Sequence, residues 1–145
     1  MTAQRGPTDI RARPAVRVTH LLSTSVTATG QPIRLPKENV DVTASIYEFL
    51  PGAMLPIHRH PFPRYGYILS GRLSVTNEAT GDTAVYVEGD FVVEAVGQWH
   101  SGQNIGPGPL RILVIDQVED RRDNVLLMDT IGSASCDING ERRSE

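Results

Sequence analysis

Short β-branched runs, broken at close intervals by glycine and proline, constrain this chain more than any other feature. Thirteen glycines and ten prolines are spread among segments rich in Val, Ile and Leu, a pattern of turns joining short strands rather than of long helices. The runs VRVTHLLSTSV (16–26) and VDVTASIYEFL (40–50) are partly alternating and are separated by the turn-rich ATGQPIRLPKEN, so both are expected as strands. PGAMLPIHRHPFP (51–63) opens on Pro-Gly and holds three more prolines, which suits a turn followed by an edge or loop segment. YGYILSGRLSVTN, the turn EATGD and TAVYVEGDFVVEAV (65–96) then read as strands folded back through glycine-containing turns. LRILVIDQV (110–118) is expected as a strand buried on both faces, and DRRDNVLLMDT (120–130) as a short helix or a last strand. Some eight short strands at regular spacing indicate an all-β sandwich or small barrel.

A length of 145 residues suits one domain with a sizeable core. Residues 1–15 are expected to form a flexible N-terminal arm, 16–128 the barrel, and 129–145 a polar tail. The net charge of −3, with 21% charged residues, gives no electrostatic reason to expect nucleic acid or an anionic membrane as partner, and leaves a small molecule as the expected ligand. Cys136 is the single cysteine, so no internal disulfide can form. No apolar stretch resembles a signal peptide or a membrane span, so a cytoplasmic location is expected.

The strongest chemical signal is His58-Arg59-His60. Alternate residues of a strand share a face, so two imidazoles at this spacing can reach one ion. By itself such a pair is also what a solvated strand face carries. Its surroundings add to it: Pro51-Gly52 precede the pair, Gly71 follows, and His100 lies in a segment punctuated by Gly89, Gly97 and Asn104. His20 stands apart from these positions and reads as a surface or satisfied core residue. Tyr65, Tyr67, Phe62 and Trp99 are close to the histidines in sequence and either line a pocket or pack in the ordinary way of strand aromatics.

These positions resemble the two motifs of the cupin superfamily. The first is Gly, five residues, His-x-His, three or four residues, Glu, six residues, Gly, and it is met by Gly52, His58, His60 and Gly71. The second is Gly, five residues, Pro-x-Gly, two residues, His, three residues, Asn, and it is met by Gly89, Gly97, His100 and Asn104, with Ala95 in place of the proline. Seventeen residues separate Gly71 from Gly89, close to the short connection of small single-domain cupins. The resemblance implies a double-stranded β-helix (jelly-roll) barrel with one divalent transition metal on His58, His60 and His100. Iron(II) is the first expectation, with zinc, nickel, manganese or copper as alternatives, since imidazole suits them all.

Arg64 departs from the pattern, standing where cupins supply a ligating glutamate. A guanidinium has donors only and cannot ligate. Two unit positive charges 4 Å apart repel by about 4 kcal/mol at an effective dielectric near 20, and a dication doubles this. Three readings follow: Arg64 anchors an anionic substrate, it swings out to the solvated barrel mouth, or it replaces the metal in a metal-free binder. Glu48 and Glu94 are the nearest carboxylates in sequence, and no spacing argument places either at the ion.

With three histidines and open positions, the site resembles that of three-histidine non-haem iron oxygenases, so a dioxygenase-like reaction on a small organic anion is the leading functional expectation. A metal-dependent isomerase, lyase or polyketide cyclase that uses the ion as a Lewis acid is the alternative. A non-enzymatic small-molecule-binding cup is the competing class, and the resemblance implies a homodimer.

Overall fold

The computed structural model describes residues 15–128. Its strands, in chain order, are β1 (Val40–Phe49), β2 (Met54–Arg59), β3 (Arg64–Ser70), β4 (Arg72–Asn77), β5 (Thr83–Val87), β6 (Phe91–Val93), β7 (His100–Asn104), β8 (Leu110–Glu119) and β9 (Leu126–Leu127). They form two antiparallel sheets, ordered β1-β8-β3-β6 and β5-β4-β7-β2-β9. Apart from the β4–β5 hairpin, the chain alternates between the sheets, which face each other as in a jelly roll.

Side-chain alternation decides what each strand sends inward. Along β3, Arg64, Gly66 and Ile68 are buried while Tyr65 and Tyr67 are only half-buried. Along β8, Leu110, Ile112, Val114, Asp116 and Val118 are buried, and the intervening residues are exposed or half-buried. The apolar core is drawn from both sheets: Phe49, Ile68, Leu73, Leu110, Ile112 and Val114. Most of these residues surround a chamber of about 350 Å³ instead of filling the space between the sheets. A closed, empty void of that size would cost roughly 8 kcal/mol at about 24 cal/mol per Å³. That is comparable with the whole stability of a typical domain, about 5–15 kcal/mol. This chamber is not closed, because exposed residues of the β4–β5 turn and the turn at residues 28–29 also border it.

Three expected elements differ from what is observed. Residues 16–26 make no strand; they run exposed, with a single bridge between Val26 and Pro32, because β-branched sequence needs a ladder partner to become a strand and this segment finds none beyond that bridge. PGAMLPIHRHPFP holds a paired strand, β2, between β7 and β9; Pro56, which lacks an N–H, is accommodated where the β2–β7 register shifts between Leu55 and His58. LRILVIDQV is buried on one face, not two. The last segment contributes the two-residue strand β9. The expected arm, apart from Ala15, and the polar tail with Cys136 lie outside the described residues.

Candidate metal centre

His58 lies on β2, His60 directly follows it, and His100 opens β7, where it is the register partner of His58. All three are buried, and one ring nitrogen from each lies within 4.8 Å of the others. The opposite nitrogen of every ring meets a backbone carbonyl. His58 Nδ1 donates to Pro56 O at 2.6 Å, His60 Nδ1 to Asn124 O at 2.7 Å and His100 Nδ1 to Gln98 O at 2.8 Å. A carbonyl oxygen only accepts, so Nδ1 carries the proton in each neutral ring and Nε2 is left as a lone pair. Outer bonds of this kind orient metal-binding histidines.

Glu94 completes the convergence. Its Oε1 lies 3.3 Å from His60 Nε2 and 3.5 Å from His100 Nε2, and its side chain keeps 21% of its exposure, facing the chamber. The residue follows β6, and its backbone N–H donates to the Arg64 carbonyl at 2.9 Å. The carboxylate therefore comes from the neighbour, across the strand pair, of the position where the cupin motif has its glutamate. Strand parity carries a signal for this: Val92 faces the chamber, and a residue two further along shares its face.

His60 and His100 present their Nε2 atoms to each other at 3.2 Å. Two lone pairs at that distance repel unless a proton or a cation lies between them. The spacing fits a cation, since ligands about 2.1 Å from one ion are separated by roughly 3.0–3.4 Å. The three imidazoles, with the Glu94 carboxylate against two of them, thus fit a divalent transition metal. Burial pushes His58 down to about 4, against the pull of its Pro56 bond, so this ring is neutral and ready to ligate. Burial also acts to lower His100, but its contacts with Glu94 and the Gln98 carbonyl carry it above its ordinary value. Burial would raise the Glu94 carboxyl; its contacts with His100 and His60, with the nearby charge of Arg64, hold it well below the usual carboxylate range.

Arg64 is buried, not solvated at the mouth. Its Nε donates to Asp116 Oδ1 at 2.8 Å and its Nη2 to Asp116 Oδ2 at 3.0 Å, with a further bond to the Tyr47 hydroxyl at 3.2 Å. The forked donors are committed to an internal carboxylate. Asp116 in turn accepts from Asn124 Nδ2 at 2.6 Å, and the Asn124 carbonyl is the one that holds His60. Arg64, Asp116 and Asn124 thereby form a buried bracket behind His60. Sequence reasoning missed Asp116 and Asn124, which stand 52 and 60 positions from Arg64.

Other sequence expectations are met or redirected. Asn104 is buried and donates to the carbonyls of Phe49 and Gly108 while accepting from Gly106 N–H. His20 is exposed. Tyr65, Tyr67, Phe62 and Trp99 do not line the chamber; Tyr47 and Tyr86 do. Trp99 lies under the guanidinium of Arg59 at 4.7 Å and Phe62 under that of Arg122 at 4.8 Å. The loop that carries Glu94 to His100 is pinned twice. Gly97 N–H donates to the His60 carbonyl, and the Gln31 amide exchanges two hydrogen bonds with the Val96 backbone.

Comparison with known proteins agrees with this architecture. Residues 45–116 match the cupin domain family. A search of curated proteins finds no match. Among solved structures, the chain is similar to the Lactobacillus farciminis oxalate decarboxylase formate complex (TM-score 0.56, 24% identity, 68% of this chain and 31% of that one). It is also similar to a variant of Bacillus subtilis oxalate decarboxylase OxdC (0.53, 26%, 66% and 28%) and to the DMSP lyase DddQ from Ruegeria pomeroyi (0.52, 23%, 60% and 43%). The chain spans less than half the length of each of these proteins. With both histidine motifs, the two facing antiparallel sheets and the family match over the barrel strands, the chain belongs to the cupin superfamily.

Proposed function

We propose that this chain is a metal-dependent cupin enzyme that acts on a small organic anion inside the barrel, with His58, His60, His100 and Glu94 as the metal ligands. The observation that carries this reading is the convergence of one ring nitrogen from each of three histidines, all held through Nδ1 by backbone carbonyls, with the Glu94 carboxylate against two of them at the wall of an open chamber. When bound, a divalent ion supplies Lewis acidity toward a carbonyl or carboxylate oxygen, and iron adds the capacity for dioxygen chemistry. The chain's own residues fix the imidazoles, supply one negative charge through Glu94, and line the rest of the space with apolar side chains that reduce competition from water.

Lewis-acid chemistry on a carboxylate or enolate, as in a lyase, decarboxylase or isomerase, is the reaction class favoured. The case for dioxygenation drew on a site without a carboxylate, and Glu94 supplies one. Two of the similar proteins are named as an oxalate decarboxylase and a lyase, which supports the same class. Dioxygenation stays as the second reading, carried by the three-histidine face. Protein loaded separately with iron, zinc, nickel or manganese, and offered a panel of short carboxylic and keto acids, tests this. Turnover without oxygen uptake supports the first reading, and oxygen consumption confined to the iron form supports the second. A protein that holds metal and binds acids without turning any over is a binding module.

We further propose a homodimer. β1 is an edge strand whose outer face presents Val40, Val42 and Ile46 at 45%, 63% and 47% exposure, an apolar row that a second copy would cover.

A further inference from the structure

The chamber behind the histidines contains more than a metal site needs, and its lining defines a class of ligand. We propose that it binds a monoanion with an apolar body: a single oxygen-bearing head group at the histidine wall, and hydrocarbon packed against Phe49, Leu55, Ile68, Leu73, Ile112 and Val114. This rests on the metal-centre reading and narrows its substrate class.

Three observations lead there. The first is size, since about 350 Å³ is room for roughly a dozen water volumes at about 30 Å³ each, far more than a two- or three-atom head group occupies. The second is the absence of a second anion anchor. Among the described residues lining the chamber, Arg64 is the only Arg or Lys, and Asp116 holds its Nε and Nη2. Asn77, another polar group of the lining, is also engaged: its amide donates to Gln98 Oε1, and its oxygen accepts from the backbone of Ala79 and Thr80. A second carboxylate reaching away from the histidines would find no further cation in the lining: only apolar side chains, neutral groups such as the hydroxyls of Tyr86 and Thr83, and Asp82, an exposed acid of the β4–β5 turn that also borders the chamber. The third is charge. Arg64 and Asp116 cancel, and Glu94 offsets one of the two charges of a divalent ion. One positive charge is left, which a monoanion balances and a dianion exceeds.

Calorimetric titration of the zinc-loaded full chain with acetate, butanoate, hexanoate and succinate tests the proposal, with zinc content measured on the same samples. The expected result is affinity rising about fourfold per methylene from acetate to hexanoate, and butanoate at least tenfold tighter than succinate of equal carbon number. Val114→Phe and Val75→Phe, which fill the chamber from different sheets, are expected to weaken hexanoate at least tenfold relative to acetate while leaving zinc content unchanged; either variant suffices if the other fails to fold. Equal or tighter binding of succinate, or affinity independent of chain length, in protein holding one zinc per chain overturns the ligand class and leaves the metal centre standing. Failure to take up zinc or any other divalent transition metal overturns both.

Discussion

The guanidinium of Arg64 occupies the position of the expected glutamate ligand, and Asp116 opposite it on β8 takes up its charge. Replacing one partner of a buried pair leaves an uncompensated charge, an effect of about 3–5 kcal/mol. Arg64→Glu places a second carboxylate beside Asp116, so the variant is expected to lose stability by at least that range in urea unfolding, and not to bind metal more tightly. The Arg64→Met/Asp116→Leu double variant removes both charges and is expected to recover most of the loss. His58 adds a pH dependence. Its folded value near 4 lies below the 6.5 of the free side chain, so the unfolded chain binds the extra proton between those values. The stability due to keeping this ring neutral is complete above pH 6.5 and is lost as the pH falls toward 4. His100, shifted upward, loses its contribution only above pH 6.5, and Glu94, shifted downward from 4.5, only below that value. Between pH 6.5 and 4.5 the metal-free protein is therefore expected to lose about 2 kcal/mol, and His58→Gln to remove that slope. The histidines were legible in the sequence because motif spacing fixes them. The Arg64 partner was not, since it arrives from 52 residues away and only the β3–β8 pairing brings it there. Glu94 was half legible: parity puts it on the face of Val92, but nothing in one sequence tells which strand lies opposite.

Strand existence followed from composition and alternation wherever a ladder partner was near, as in the β4–β5 hairpin. Where the partner is distant or missing, local sequence misled. Residues 16–26 have the composition of a strand and only a single bridge of pairing, whereas β2 has an unfavourable proline and is paired on both sides. The β2 irregularity serves the site, because the Pro56 carbonyl beside it orients His58. Gly71, between β3 and β4, is demanded by geometry: its φ is +97°, and an added Cβ would lie 2.7 Å from Leu110 Cα and 2.8 Å from the Pro109 carbonyl oxygen. Backbone atoms on a neighbouring strand cannot swing aside as a side chain would. Gly71→Ala is expected to lower stability by more than about 2 kcal/mol in chemical denaturation. Gly108→Ala, with nothing within 4 Å of its added Cβ, is expected to stay within about 0.5 kcal/mol of the parent.

A barrel that leaves its apolar interior hollow gives up packing that would otherwise stabilise it, and the buried Arg64–Asp116–Asn124 bracket and the three converging histidines serve one wall of that hollow. The outside of the barrel bears on assembly. Light scattering on the full chain is expected to give twice the 15.9 kDa chain mass, and Val42→Lys on the exposed β1 face to shift it toward monomer. The metal centre is tested most directly by elemental analysis of the purified protein beside a His58→Ala/His100→Ala variant. One transition-metal ion per chain in the parent and none in the variant is the predicted result. A parent that is metal-free as isolated and takes up none of iron, zinc, nickel, copper or manganese would contradict it.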